Sequence, residues 1–143
     1  MKETCELCRL LEDPESICGG TLLETDHFAV IHHQPPVDVE GWLIAVPKRH
    51  VESQSDLNDI ELAELVSLEK KLTLLLEKNF HAERVYRVCF SEIVRHIHFH
   101  LIPRTADVPA HRRGPGIFSR DEGNLLAEKQ IRKLNDRMRE FLK

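Results

Sequence analysis

The order of apolar and polar positions divides the chain into short extended stretches and two helices. Between Thr21 and Ile31 (TLLETDHFAVI), β-branched and aromatic residues flank Thr25-Asp26, a pattern of two short strands joined by a turn. Gln34-Pro35-Pro36 interrupts. Gly41 to Val46 (GWLIAV) is then a compact apolar run closed by Pro47, and its shortness between turn signals predicts a buried strand rather than a helix. From Asp56 to about Asn79, the residues Ile60, Leu62, Leu65, Val66, Leu68, Leu72, Leu75 and Leu76 recur at intervals of three and four. This predicts a long helix, with Ser53-x-x-Asp56 able to cap its start. Arg84 to Phe90 and Ile93 to Ile102 read as two further strands, close enough to pair. Pro109, Gly114, Pro115 and Gly116 make Asp107 to Ser119 a loop, and Ala127, Ile131, Leu134, Met138 and Phe141 mark a second amphipathic helix over Asn124 to Leu142. Strands, a helix, then strands again predict an α+β domain: a mainly antiparallel sheet, one long helix packed on a face, and a C-terminal helix.

With 143 residues, 41% of them hydrophobic, and neither a repeat nor a linker, one domain across residues 1–143 is expected. Twenty basic against 24 acidic residues give a net charge of −4, mixed along the chain, which argues against a general nucleic-acid binder. No apolar run approaches a membrane span, and Met1 to Glu6 lacks the apolar core of a leader, so a cytoplasmic protein without a membrane partner is expected. In that compartment Cys5, Cys8, Cys18 and Cys89 read as thiols or metal ligands rather than a disulfide framework. Nine histidines are the anomaly, because imidazole titrates near neutrality and is the commonest metal ligand.

Three of them alternate in His96-Ile97-His98-Phe99-His100-Leu101-Ile102. On a strand, His96, His98 and His100 line one face while Ile97, Phe99 and Leu101 line the other. Such a row can bind a metal through all three rings, or use one neutral imidazole as a nucleophile while its neighbours serve a phosphate. The run resembles the signature of the histidine triad (HIT) superfamily of nucleotide hydrolases and transferases. Gly41-Trp42-Leu43-Ile44-Ala45-Val46-Pro47-Lys48-Arg49-His50 is similar to that family's strand ending in a Pro-Lys-Arg/Lys-His turn. Resemblance extends from the first cysteine pair to about Arg104, so residues 5–104 are expected to form the triad core, with a loop and helix over 105–143.

The resemblance implies a HIT-like fold and cleavage of a phosphoanhydride or phosphoramidate bond at the α-phosphate of a nucleotide, the small-molecule partner. His98 would form the covalent nucleotidyl-histidine, His100 would serve the phosphate or leaving group, and the backbone around His96 would orient the nucleophile. Transferase branches typically carry Gln at the last triad position, so His100 favours a hydrolase over a nucleotidyltransferase. A homodimer is also implied. Cys5-x-x-Cys8 alone is a weak signal; the resemblance to zinc-bearing, bacterial-type members assigns Cys5, Cys8, His50 and His96 to a structural zinc that the chemistry does not need. Cys18 and Cys89 are read as ordinary thiols.

For substrate contacts, Arg95 and Arg104 sit beside the triad in sequence, while Lys48, Arg87, Arg112 and Arg113 are more distant cations. The family's ribose-holding Asp or Asn falls near His33 or Gln34. Glu92 and Ile93 stand where Gln and Ser or Thr usually contact the phosphate, a departure that keeps open a nucleotide-binding or interaction protein with little turnover. Arg112-Arg113-Gly114-Pro115-Gly116 is a plain turn or a loop closing on phosphate. Trp42 is read as structural, with adenine stacking as the alternative.

Overall fold

The computed structural model describes residues 4–143; Met1–Glu3, half of the stretch inspected for a leader, lie outside the described residues. Five strands, β1 (Thr21–Glu24), β2 (Phe28–His32), β3 (Leu43–Pro47), β4 (Arg84–Val88) and β5 (Phe99–Arg104), form one antiparallel sheet in the order β1-β2-β3-β5-β4. The uninterrupted apolar run of β3 has its cause in that order. It lies at the centre between β2 and β5, and all five residues are buried. Leu43 and Ala45 face one layer and Ile44 and Val46 the other.

One layer is the long helix α2 (Asp59–Phe80), whose Leu65, Leu68, Leu72, Leu75 and Leu76 pack with Phe28, Leu43, Phe99 and Leu101. Ile60 and Val66, counted in the apolar stripe from sequence, are exposed instead. The helix begins later than expected. Ser53 caps a separate 3-10 turn at Gln54–Asp56, and α2 starts from a capping box in which Asn58 and Glu61 satisfy each other's backbone N–H groups. The carboxylate of Glu61 also receives a fork from Arg49, at 3.0 Å from Nε and 2.8 Å from Nη2. That fork pins the Pro47-Lys48-Arg49-His50 turn to the start of α2, and it holds the Glu61 carboxyl down at about 2.

The opposite layer holds α1 (Glu6–Glu12), a seven-residue helix that the pattern did not predict, with Cys5, Leu7, Cys8, Ile17, Val37 and Ile117 against Ile31, Ile44 and Ile102. The C-terminal helix α3 (Glu128–Leu142) closes one end and contributes to both layers, Leu134 and Met138 to the first and Ile131 to the second. Among the described residues no helix is long and apolar enough to cross a membrane.

The connection from β2 to β3 is fastened by His32, which has no solvent exposure. Its Nδ1–H donates to the His33 carbonyl (2.9 Å) and its Nε2 accepts from the Gly41 N–H (3.0 Å), so the neutral ring is fully satisfied. Gly41 has φ +83°, and a Cβ there would lie 3.2 Å from the Phe80 ring. Burial pushes His32 from the ordinary 6.5 down to about 4. Between those two values the unfolded chain binds a proton that the folded chain refuses. The contribution of His32 to stability, about 3 kcal/mol for a full shift, is therefore complete above about pH 6.5 and is lost as pH falls toward 4. Urea unfolding at pH 7.0 and 4.5 is expected to show the midpoint falling in the wild type and falling less in His32→Gln. An identical loss in the variant contradicts the assignment.

Candidate active site and metal centre

The chain enters β5 by a route that periodicity missed. Ser91 adopts a left-handed backbone (φ 48°) and its Oγ accepts the His98 N–H at 3.2 Å, while the Ile97 N–H donates to the Val51 carbonyl at 2.8 Å. These bonds take backbone groups that a strand would give to its neighbours, so the strand expected from Ile93 begins at Phe99 instead. Ile93 is 96% exposed and Glu92 is exposed beside it. Alternation survives in burial, with Ile97, Phe99 and Leu101 in the α2 layer. The rings of the three histidines are divided between two pairs. His96 pairs with His50 (ring centroids 5.0 Å apart) and His98 with His100 (also 5.0 Å).

The first pair belongs to a cluster with the N-terminal cysteines. Cys5 caps α1, its Sγ accepting the Cys8 N–H, which turns both sulfurs toward the sheet. His96 Nδ1 lies 3.4 Å from each sulfur and His50 Nδ1 3.3 Å from Cys8 Sγ; the four ligand atoms all fall within 4.8 Å of one another. A tetrahedron with zinc–sulfur bonds of about 2.3 Å and zinc–nitrogen bonds of about 2.05 Å has sulfur–nitrogen edges of about 3.5 Å. The outer ring nitrogens are also fixed. His96 Nε2–H donates to the Pro47 carbonyl (2.8 Å) and His50 Nε2–H to the Glu52 carboxylate (3.0 Å), which leaves both Nδ1 lone pairs facing the sulfurs. Donor types, spacing and tautomers are consistent with zinc.

The second pair has its own constraints. His98 Nδ1 faces the carbonyl oxygen of His96 at 2.8 Å and must carry the proton there, so the lone pair of the neutral ring is on Nε2. His100 Nδ1 lies 2.9 Å from the Trp42 indole Nε1–H and accepts from it. Burial, with the His98 and His33 rings nearby, pushes His100 down to about 4. His33 stacks obliquely on Trp42 (4.7 Å) and lies 6.2 Å from His100; burial lowers it too, and its Nδ1–H donates to the Gln34 carbonyl. A cavity of about 270 Å³ opens here, lined by His33, Asp38, Trp42, His100, Phe118 and Arg120 among others.

Other residues nominated from sequence lie apart from the triad or are engaged elsewhere. The Gln34 side chain accepts from the Cys18 N–H and donates to the carbonyls of Cys18 and His32. Arg95 pairs with Glu52 beside the cysteine cluster (3.3 Å). Arg104 pairs with Glu83 four residues beyond His100, about 13 Å along the strand. Lys48 faces Glu24, Arg87 pairs with Glu69, Arg112 with Asp38, and Arg113 donates to the carbonyls of Ala106 and Val108. The glycine-rich loop is thus tied down, also by Gly114 N–H on the Tyr86 hydroxyl, and it delivers Phe118 to within 6.4 Å of His100. Sequence reading passed over Asp38, Phe118 and Arg120. No local signal marks them, because two long connections bring them to the triad. Trp42 was legible in part: alternation puts it on the face of Ile44, but only the register, with Ile44 opposite His100, makes the ring its neighbour.

A HIT domain model matches residues 17–107. The nitrilase and fragile histidine triad fusion protein NitFhit of Caenorhabditis elegans is 34% identical over 88 residues, 57% of this chain and 20% of that protein. An uncharacterized HIT-like protein of Methanocaldococcus jannaschii is 30% identical over 105 residues, covering 70% of this chain and 78% of the relative. Adenosine 5'-monophosphoramidase hnt1 of Schizosaccharomyces pombe is 29% identical over 79 residues, 54% of this chain and 56% of that protein. The chain therefore spans a fifth of the length of the first relative and little more than half of the third. Two solved structures share the fold. A zinc-bound histidine triad family protein of Mycobacterium smegmatis superposes with a TM-score of 0.67 at 18% identity over 99% of both chains. Plasmodium falciparum diadenosine triphosphate hydrolase, bound to cyclomarin A, gives 0.66 at 13% identity over 85% of this chain and 75% of that one. A family model that covers well over half of the chain, matched to a five-stranded sheet with the alternating histidines at the entry of β5, places this protein in the HIT domain family.

Proposed function

We propose that the protein is a nucleotide hydrolase that cleaves a phosphoanhydride or phosphoramidate bond at the α-phosphate through a nucleotidyl-His98 intermediate. The observation that carries this reading is the bond from His98 Nδ1–H to the His96 carbonyl, which leaves Nε2 as a lone-pair nucleophile on a ring 5.0 Å from that of His100, which lines the cavity. In the first step the Nε2 pair forms a bond to the α-phosphorus as the bond to the leaving group breaks with its pair. The resulting imidazolium keeps its Nδ1 proton, and the His96 carbonyl meets the new positive charge. In the second step water attacks the same phosphorus, the pair returns to Nε2, and one proton leaves to solvent as nucleoside monophosphate is released. His100 Nε2–H is the neighbouring donor for phosphoryl oxygen. The cavity between Trp42, Phe118 and Asp38 takes the nucleoside, with His33 at its wall. The name of the hnt1 relative supports the reaction class. Arg95, Arg104, Gln34 and Glu92 play no direct part in this reading, because their side chains are engaged elsewhere or lie in solvent.

The Cys5, Cys8, His50 and His96 cluster holds a structural zinc in the same proposal. Its contribution is to tie the N-terminal segment to the residue that orients the nucleophile. Pairing of two chains as a homodimer, without a nucleic-acid or membrane partner, belongs to the proposal as well.

Brief mixing with adenosine phosphoramidate or a dinucleoside polyphosphate, followed by intact-protein mass measurement, is expected to reveal a nucleotidyl adduct. In His98→Ala the adduct is expected to vanish and monophosphate release to fall by on the order of a thousandfold or more. Bound nucleotide with neither adduct nor product would support a binding protein with little turnover instead. Metal analysis of the purified protein is expected to find one zinc per chain, retained in His98→Ala and lost in Cys8→Ser. Chelation should lower the thermal midpoint by on the order of 10 °C. A protein that neither contains zinc nor gains stability on its addition contradicts the metal assignment.

A further inference from the structure

The Trp42 indole offers one N–H and no acceptor, so its 2.9 Å contact with His100 Nδ1 fixes more than a distance. A ring nitrogen that accepts this bond cannot itself be protonated, and the only proton of His100 then sits on Nε2. Protonating Nδ1 would set two N–H groups against each other in a nearly buried site, since Trp42 is itself in the core. The other groups facing His100 give no compensation. His98 and His33 are imidazoles, Ile44 and Val88 flank it on the neighbouring strands, Arg120 in the cavity wall is itself a cation, and the carboxylate in that wall, Asp38, is paired with Arg112 at 2.9 Å.

We infer that Trp42 is a positioning residue that locks His100 as a neutral Nε2–H donor and so makes the site selective for leaving groups that depart as anions. This rests on the hydrolase reading above. When a phosphoanhydride is cleaved, the pair of the breaking P–O bond stays on a phosphate oxygen that is stable as an anion, and a hydrogen bond from neutral imidazole is enough. When a phosphoramidate is cleaved, the pair of the breaking P–N bond goes to nitrogen, and the amine departs only with an added proton. An imidazolium would give that proton readily. A neutral imidazole gives up its N–H far too reluctantly, and the indole bars the cationic form. His98 has no proton to give either, because its Nδ1–H is held by the His96 carbonyl and its Nε2 is bonded to phosphorus at that moment. Dinucleoside polyphosphates and related anhydrides are accordingly the substrate class.

Two measurements test this together. Histidine nitrogen NMR of the wild type is expected to show His100 with a pyridine-type Nδ1 and a protonated Nε2, and no titration of that ring down to about pH 5. A protonated Nδ1 at pH 7, or ordinary titration near pH 6.5, overturns the inference whether or not any variant folds. Initial rates with diadenosine triphosphate and adenosine phosphoramidate are expected to favour the anhydride in kcat/KM by tenfold or more at pH 7. In Trp42→Phe and Trp42→His, each checked for native circular dichroism, the preference is expected to narrow several-fold and the acid limb of the phosphoramidate profile to move up in pH. Equal use of both substrates by the wild type, or an unchanged preference in a folded variant, overturns the selectivity while the hydrolase reading stands. Failure to cleave either substrate, with the expected His100 tautomer present, overturns the hydrolase reading and the selectivity with it.

Discussion

The candidate site depends on His96, which is used twice. Its buried ring presents Nδ1 to the Cys5 and Cys8 sulfurs and Nε2–H to the Pro47 carbonyl, so the side chain is fixed at the seam between the N-terminal helix and the sheet. Its own carbonyl oxygen holds the Nδ1 proton of His98. One residue thus connects the cysteine and histidine cluster to the bond that decides which nitrogen of His98, the proposed nucleophile, is free. A metal held by the cluster would stiffen the backbone that presents that carbonyl, and in the proposed reaction this structural role would have a catalytic consequence.

Charge makes the second constraint. A phosphate-handling site is expected to collect cations, yet the arginines and the lysine nominated from sequence are bound to carboxylates or backbone carbonyls. Around His98 and the cavity the chain places imidazoles, with His100 and His33 held low by burial, and Arg120, which is itself paired with Glu122. In the proposed reaction, transition-state charge would be met by fixed dipoles, namely ring N–H groups set by the indole and by backbone carbonyls, in a pocket walled by Trp42 and Phe118. In that reading the dipoles are oriented before substrate arrives, which needs the register that sets Ile44 opposite His100 and Trp42 two residues away.

Much of this was legible in the chain. The central strand followed from its unbroken apolar run, the first hairpin from the Thr25-Asp26 turn, and α2 from its leucines, because each depends on patterns within a few residues. The cysteine and histidine ligand set was indicated by resemblance and not by spacing. What was missed depends on long-range or three-dimensional facts. The helix Glu6–Glu12 is too short to show a period. The start of β5 is set by Ser91 turning left-handed and taking a backbone bond that a strand would have used. The start of α2 turned on Asn58 rather than Ser53, since two caps five residues apart compete and the one paired with a buried Glu61 begins the long helix. Asp38, Phe118 and the partner of Trp42 emerge only when the loops at 33–42 and 105–120 fold back over the sheet.

The central claim is that His98, held by the His96 carbonyl, attacks phosphorus itself and does not merely assist water. The stereochemical course at phosphorus tests it most directly. A substrate made chiral at the α-phosphorus with sulfur, hydrolysed in oxygen-labelled water, is predicted to give monophosphorothioate with retained configuration, because two in-line displacements each invert the centre. Net inversion would mean a single attack by water, and the account of His98 as nucleophile would be wrong.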